Sequence, residues 1–283
     1  MKKSILFIFL FLLAYNLYAQ PASTTRDKPF VLGRVHEMYS TILLEKRILN
    51  IYLPDDYNEK DSVRYPVIYL LDGSADEDFI HITGLVQFLT FPWVNSMPKS
   101  IVVGIANVDR RRDFTFPTTI EKDRKDFPTT GHSEKFILYL EKELQPFIEK
   151  NYKTTSSKTI IGQSLGGLLA TEVLFKKPEL FNQYIIISPS LWWDNESLLA
   201  ITPKVLAPSF NTPVSIYIAT GKEGKIMEGD AKKLVSILNK GKGNRIKVNH
   251  ELFTNENHAS ILHNAAYHAL EVINRLPGKK TNQ

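Results

Sequence analysis

Hydrophobic and polar positions along the chain fall into two alternating patterns. Short, almost continuous apolar runs are typical of strands buried on both faces of a parallel sheet, and they occupy residues 66–71, 100–106, 158–161, 184–188, 214–220 and 245–253. Between them, apolar residues recur at helical spacing over residues 79–90, 133–150, 165–176, 230–240 and 260–276. Strands that alternate with helices predict an α/β fold, in which a mostly parallel central sheet has helices on both faces.

The N-terminal part of the chain has a different pattern. Residues 31–39 and 40–53 alternate partially between apolar and polar positions, and the second stretch ends at a turn sequence, Pro54-Asp55-Asp56-Tyr57-Asn58. This alternation predicts antiparallel strands at an N-terminal edge of the sheet. We therefore expect a single domain over residues 30–277, with a flexible leader at 20–29 and a short tail at 278–283.

The first residues are typical of a signal peptide. Lys2 and Lys3 precede an apolar run at residues 5–14, and that run is short for a membrane span. Cleavage near Ala19 would remove residues 1–19 and leave no stable membrane anchor. We therefore expect an exported protein, periplasmic or secreted. Because the chain contains no cysteine, its stability there cannot come from disulfides.

Charge and histidine spacing exclude several classes of function. The formal net charge is +5 and falls to +3 when Lys2 and Lys3 leave with the signal peptide. A charge this small, evenly mixed with acidic residues, does not indicate a nucleic-acid partner. The histidines show no His-Glu-x-x-His spacing, so no metal is predicted, and no organic cofactor is required. The pattern specifies no oligomeric state.

The candidate chemistry begins at Gly162-Gln163-Ser164-Leu165-Gly166, between a predicted strand and a predicted helix. Gly-x-Ser-x-Gly at such a junction is typical of the nucleophile elbow of α/β-hydrolases. The glycines leave room where a sharp strand-to-helix turn crowds the backbone. We predict that Ser164 is the nucleophile and that the Leu165 N–H, free at the helix start, faces a developing oxyanion.

A serine nucleophile needs a general base, and in this fold the chain order is serine, acid, histidine, each in a loop after a strand. His258 lies in such a loop, residues 254–260, and we predict that it is the base. The other histidines precede the serine or lie within a predicted strand or helix: His36, His81, His132, His250, His263 and His268.

The acid and the second oxyanion donor are less sharply defined. Glu223 follows the strand at 214–220 and is the preferred acid. Asp230 is an alternative that also suits a helix N-cap, Asp194 is more distant, and a Ser–His pair without a firmly placed acid stays open. For the oxyanion we expect the N–H of Ser74, with Gly73 next, unless Asp72-Gly73-Ser74 is an ordinary strand-ending turn.

Several motifs in the same order resemble one family. They are Asp72-Gly73, residues 103–113, the elbow, residues 187–193 and Glu256-Asn257-His258-Ala259-Ser260. Together they resemble the esterase D and enterochelin esterase-like group of α/β-hydrolases over nearly all of the mature chain. The segment Ser188-Pro189-Ser190-Leu191-Trp192-Trp193 most resembles enzymes that open the trilactone of catecholate siderophores. Esterases that remove acetyl or feruloyl groups from plant polysaccharide are close relatives.

The resemblance implies two-step acyl transfer on a small-molecule ester. Arg110, Arg111 and Arg112 follow a strand, and at least one of them is a candidate to attract an anionic substrate, with Arg110 and Arg112 preferred. Pairing of Arg112 with Asp113, or of Arg110 with Asp109, is an equally good interpretation. Trp192 and Trp193 are candidates to contact catechol or sugar rings, unless one fills the core. We keep three hypotheses: a siderophore esterase, a carbohydrate esterase, and an exported binding protein that has lost turnover.

Overall fold

The computed structural model describes residues 27–241 and 243–274. All of the elements below belong to one compact unit, which begins at Leu32. The predicted signal peptide, most of the leader and the tail lie outside the described residues. Within the described part of the chain, no helix is both long and apolar enough to cross a membrane.

The elements follow the predicted alternation of strands and helices. The strands are β1 (Arg34–Ser40), β2 (Glu45–Tyr52), β3 (Tyr65–Leu70), β4 (Ile101–Ile105), β5 (Thr154–Gln163), β6 (Gln183–Ile187), β7 (Val214–Gly221) and β8 (Ile246–Phe253). The helices are α1 (Phe79–Thr90), α2 (Arg110–Phe114), α3 (Glu121–Asp126), α4 (Ser133–Tyr139), α5 (Gln145–Asn151), α6 (Leu165–Lys176), α7 (Trp193–Glu196), α8 (Lys225–Lys240) and α9 (Ile261–Ile273).

The strands form one mostly parallel sheet in the order β1-β2-β4-β3-β5-β6-β7-β8. The pairs β1–β2 and β2–β4 are antiparallel, and the remaining pairs are parallel. Both the parallel sheet and its antiparallel N-terminal edge are therefore confirmed. In this arrangement the carboxyl ends of strands β3, β5, β6, β7 and β8 lie at the same edge of the sheet.

Helices cover both faces of the sheet. Neighbouring residues of β3 alternate between two buried apolar clusters, with Tyr69 in one and Ile68 and Leu70 in the other. The first cluster includes α6 residues such as Leu168, and the second includes α9 residues such as Ala265. Because successive strand residues point to opposite faces, continuous apolar runs are what a sheet covered on both sides requires.

The turn between the first two strands corrects the predicted boundary. The second strand begins at Glu45 and not at residue 40, and residues 41–44 form a turn. The Glu143 carboxylate accepts hydrogen bonds from the N–H groups of Thr41 (2.8 Å) and Ile42 (3.2 Å). Leu44 has a positive φ of 58°. A contact from a residue so distant in sequence cannot be read from local alternation.

Two helical predictions are also corrected. Residues 133–150 are helical, but a π-helical turn at Leu140–Leu144 interrupts the α-helical hydrogen bonding between α4 and α5. Helix α8 begins at Lys225, so Asp230 lies within the helix and is not its N-cap. The short helices α2, α3 and α7 were not predicted, because four to six residues carry too little periodicity to reveal a helix.

Candidate active site

Ser164 lies in strained backbone geometry between β5 and α6. Its φ of 59° and ψ of −119° are unfavourable for a residue with a side chain. A Cβ atom on Gly162 would lie 2.3 Å from the carbonyl oxygen of Gly166, so only glycine fits there. The Ser164 N–H donates to the carbonyl of Ile187 at 3.0 Å. The tight turn predicted from the glycines is therefore present, and it holds the serine at the edge of the sheet.

His258 and Glu223 are hydrogen-bonded to each other. The distance from His258 Nδ1 to Glu223 Oε2 is 2.6 Å, with 3% of the glutamate side chain and 46% of the histidine side chain exposed. The other carboxylate oxygen accepts hydrogen bonds from the Ser188 hydroxyl and from the Gly221 N–H. An ionised Glu223 accepts the Nδ1 hydrogen, which leaves the lone pair on Nε2 to act as a base.

The environment of Glu223 favours its ionised form. Burial raises the pKa of the carboxyl most strongly, but hydrogen bonds from His258, Ser188 and the Gly221 N–H together outweigh it. The net result is a pKa below the ordinary value for glutamate. Glu223 is thus a buried carboxylate suited to orient an imidazole and to stabilise its protonated form.

The loop that carries His258 is fixed against the ends of two strands. The side-chain amide of Gln163 donates to the carbonyl of His258 at 2.5 Å, and Gln163 immediately precedes Ser164. The Lys222 N–H donates to the carbonyl of Glu256 at 2.7 Å. These contacts hold His258 beside the elbow, as the chain-order argument requires.

Two backbone N–H groups are available for an oxyanion. The Gly73 N–H is already used, because it donates to the carbonyl of Ile105 at 3.0 Å. The N–H groups of Ser74 and Leu165 donate to no other group within the described part of the chain. Leu165 is the first residue of α6, where no intrahelical acceptor exists. Of the two predicted candidates in the β3 loop, Ser74 is therefore the one with a free donor.

Arg110 connects the β3 loop to the elbow. Its guanidinium donates to both carboxylate oxygens of Asp72, at 2.6 and 3.0 Å, and to the carbonyl of Gln163 at 3.1 Å. Asp72, with a φ of 54°, also accepts a hydrogen bond from Asn107 at 2.8 Å. Arg110 thus links the loop of Ser74 to the residue before Ser164, and its carboxylate partner is Asp72 and not Asp109. Its contact with a substrate stays a prediction.

Two other predicted substrate contacts are also engaged elsewhere. The Arg112 guanidinium donates to both oxygens of Glu45, at 2.9 and 2.6 Å, and to Asp113 at 2.7 Å. The Trp193 indole is fully buried and donates to the carbonyl of Phe116 at 2.9 Å. Because Trp193 is fully buried, it fills the core and is not available for substrate contact, whereas substrate contact by Arg112 stays a prediction. Trp192 is partly buried, so of the two tryptophans it is the one with exposed surface.

Of the three consecutive arginines, Arg111 is the one that is exposed. Its exposed guanidinium lies 5.0 Å from the ring centroid of Phe127, and that ring lies 6.2 Å from the ring of Trp192. Ser190 was not selected as a site residue from the sequence, and its hydroxyl lies 3.3 Å from the Ser164 hydroxyl. The position of Ser190 directly behind a predicted strand was the signal that could have pointed to it.

The alternative acids occupy other environments. Asp230 lies on α8, where burial and the nearby Glu196 raise its pKa to about 6. The Asp194 carboxylate accepts hydrogen bonds from the Thr118 hydroxyl (3.0 Å) and the Thr119 N–H (2.6 Å). Of the three carboxylates considered from the sequence, Glu223 is the one that the fold brings to His258.

The sheet order, the elbow after β5 and the loops at its carboxyl edge define an α/β-hydrolase. Residues 40–276 match the family described as Putative esterase, and the chain belongs to that family. It is 32% identical over 238 residues to ferri-bacillibactin esterase BesA of Bacillus subtilis, a match that spans 77% of this chain and 82% of the relative. The protein is therefore a carboxylic ester hydrolase.

Two solved structures illustrate the similarity of fold. The BES protein from Bacillus cereus superimposes with a TM-score of 0.78 and 28% identity, covering 90% of this chain and all of the other. An IroE-like serine hydrolase from Shewanella oneidensis superimposes with a TM-score of 0.77 and 27% identity, covering 86% of this chain and 80% of the other. Both similarities cover most of this chain.

Proposed function

We propose that this protein hydrolyses the ester bonds of a catecholate siderophore trilactone through an acyl-enzyme on Ser164. The observation that carries the mechanism is the His258–Glu223 pair, whose loop is bonded to Gln163 beside the strained serine. Support for the substrate comes from the ferri-bacillibactin esterase that matches most of both chains. The resemblance of residues 188–193 to trilactone esterases narrows the substrate class further.

The reaction proceeds in two steps. Nε2 of His258 takes the hydroxyl proton of Ser164 while Oγ attacks the ester carbonyl carbon, and the N–H groups of Leu165 and Ser74 bind the oxyanion. The imidazolium then protonates the departing alkoxide, and the alcohol end of the substrate leaves. Water attacks the acyl-enzyme with His258 again as base, and collapse of the second intermediate releases the carboxylic acid and restores Ser164.

A strip of aromatic and cationic side chains supports an anionic aromatic substrate. Ser190 contacts the nucleophile, and Trp192 follows it by two residues. The rings of Trp192 and Phe127 lie 6.2 Å apart, and the Arg111 guanidinium stacks on Phe127. Aromatic faces suit catechol rings, and an exposed guanidinium suits the negative charge of a ferric tricatecholate.

Export is part of the proposal. The apolar run at residues 5–14 behind Lys2 and Lys3 supports a cleaved signal peptide, which places the reaction in the periplasm or outside the cell. Fractionation of cells that express the full chain, with N-terminal sequencing of the product, tests this part. A protein that keeps Met1 and stays with the cytoplasmic fraction contradicts it.

The activity is tested on three esters in parallel. Residues 20–283 are assayed with a ferric catecholate trilactone, methyl ferulate and 4-nitrophenyl acetate, beside Ser164→Ala and Ser156→Ala. Ser156 is exposed at the other end of β5 and controls for loss of a hydroxyl. We expect fast trilactone cleavage that only Ser164→Ala abolishes. Turnover of the two simple esters without the trilactone would instead favour a carbohydrate esterase.

A further inference from the structure

We propose that Ser190 is a further catalytic residue, which donates a hydrogen bond to Oγ of Ser164 as that oxygen loses its proton. The inference rests on the proposed role of Ser164 as the nucleophile. Its basis is a direct contact, because the two hydroxyl oxygens lie 3.3 Å apart and either is able to donate to the other.

The position of Ser190 is fixed by the nucleophile itself. Its N–H donates to the carbonyl of Ser164 at 3.0 Å, so backbone and side chain of Ser190 both bond to the same residue. Next to it, Pro189 packs so closely on α6 that a Cβ on Gly167 would lie 2.9 Å from the proline Cα. The hydroxyl of Ser190 therefore has little freedom to leave Ser164.

Burial makes this contact consequential. Ser190 is 3% exposed, and within the described residues its hydroxyl has Ser164 Oγ as its hydrogen-bond partner. A buried hydroxyl without a partner is costly, so each serine hydroxyl satisfies the other in the resting enzyme. Ser190 is thus shielded from water, while Ser164 stays partly exposed.

The pair is able to change roles without moving a heavy atom. In the resting state, the Ser164 hydroxyl donates to Ser190. When the Ser164 proton turns to Nε2 of His258, rotation of the Ser190 hydroxyl points its hydrogen at Oγ of Ser164. A hydrogen bond to an oxygen that gains negative charge is stronger than one to a neutral hydroxyl. Ser190 thereby stabilises Oγ during attack, and again when Oγ leaves the acyl group.

The same loop also contacts the acid. Ser188, two residues earlier, has a φ of 42° and is fully buried, and its hydroxyl donates to Oε1 of Glu223. One tight turn after β6 thus contacts both ends of the Ser164–His258–Glu223 arrangement. Because Ser188 acts through Glu223 and not on a reacting atom, it is a positioning residue, and the proposal concerns Ser190.

The experiment uses diethyl 4-nitrophenyl phosphate, which measures the rate of nucleophilic attack by Ser164 without the later steps of ester turnover. Oγ of Ser164 forms a bond to phosphorus, the bond to nitrophenolate breaks, and the proton passes to His258. Release of nitrophenolate gives the rate constant, and mass spectrometry locates the modified residue. The parent is compared with Ser190→Ala, Ser190→Cys and Ser100→Ala. Ser100 carries another buried hydroxyl, bonded to the Pro98 carbonyl at 2.8 Å.

We expect Ser190→Ala to slow phosphorylation and to lower kcat for an ester by ~10- to 100-fold, with KM nearly unchanged. Ser190→Cys should give an intermediate rate, because a thiol is a weaker donor of similar size. Ser100→Ala should react at the parental rate. Phosphorylation of Ser190→Ala at the parental rate overturns the proposal, as does a rise in KM alone. If the parent is not modified at Ser164, the nucleophile assignment itself fails, which is a separate outcome.

Discussion

Nδ1 of His258 lies 2.6 Å from Oε2 of Glu223, although 35 residues separate them in the chain. The glutamate is buried while the histidine is half exposed, so a fixed carboxylate orients a ring that reaches the protein surface. The pair meets because β7 and β8 are parallel neighbours, which brings the loops after both strands to the same edge of the sheet.

Removal of the nucleophile or the base should abolish turnover. We expect Ser164→Ala and His258→Ala each to lower kcat for the preferred ester by at least ~10⁴-fold. The fold should persist, because neither side chain fills the core. Steady-state rates beside thermal unfolding midpoints check this. An ester rate at the parental level in either folded variant would show that the site has been assigned incorrectly.

The carboxylate that orients His258 is tested by comparing two substitutions. Glu223→Ala should lower kcat by roughly 10²- to 10⁴-fold, since the ring loses its partner and its preferred tautomer. Asp230→Ala should change kcat little, because Asp230 lies on α8 beside Glu196 and Lys233. The opposite order of the two rates, measured on the same ester, would transfer the role to Asp230.

Asp230 should affect stability in a pH-dependent manner. Burial and Glu196 raise its pKa from 3.8 to about 6, and its buried Oδ2 atom has no hydrogen-bond partner within the described chain. A carboxyl whose pKa is raised on folding favours the folded state below the unfolded-state pKa, and this contribution is lost as pH rises through the folded-state pKa.

The Asp230→Asn variant should therefore be more stable than the parent above about pH 7, on the order of 1–2 kcal/mol. Near pH 4 the two proteins should be nearly equal. Thermal midpoints at both pH values check this, with Asp76→Asn as the exposed control. A gain of the same size at both pH values would mean that ionisation is not its cause.

Arg111 should affect recognition of negatively charged substrates and leave recognition of neutral substrates unchanged. Because its guanidinium is exposed on the ring of Phe127, we expect Arg111→Gln to raise KM for a ferric tricatecholate several-fold while KM for 4-nitrophenyl acetate stays the same. Added salt should reduce the difference between parent and variant, since screening weakens exposed charges. Equal changes in KM for the neutral and the anionic ester would contradict a charge-based role.

Arg110 should behave differently from its neighbour. It bonds Asp72 and Gln163, so Arg110→Gln loosens the loop that presents the Ser74 N–H. We expect kcat to fall by roughly 10-fold or more on neutral and anionic esters alike, with smaller effects on KM. A variant that turns over 4-nitrophenyl acetate at the parental kcat would show that this link is dispensable.

The sequence by itself determined the order of strands and helices, the position of the elbow and the loop of His258. These features depend on local periodicity, on glycines around a sharp turn and on the order of the chain, all of which are present in a short window of sequence. The parallel sheet with its antiparallel N-terminal edge followed from the same pattern.

Only the tertiary structure decided which side chains meet. Three consecutive arginines on a short helix point about 100° apart, so Arg110 meets Asp72, Arg112 meets Glu45, and Arg111 faces solvent. The same divergence buries Trp193 and leaves Trp192 accessible. The packing of elements that are distant in sequence also decides that Glu223, and not Asp230, meets His258.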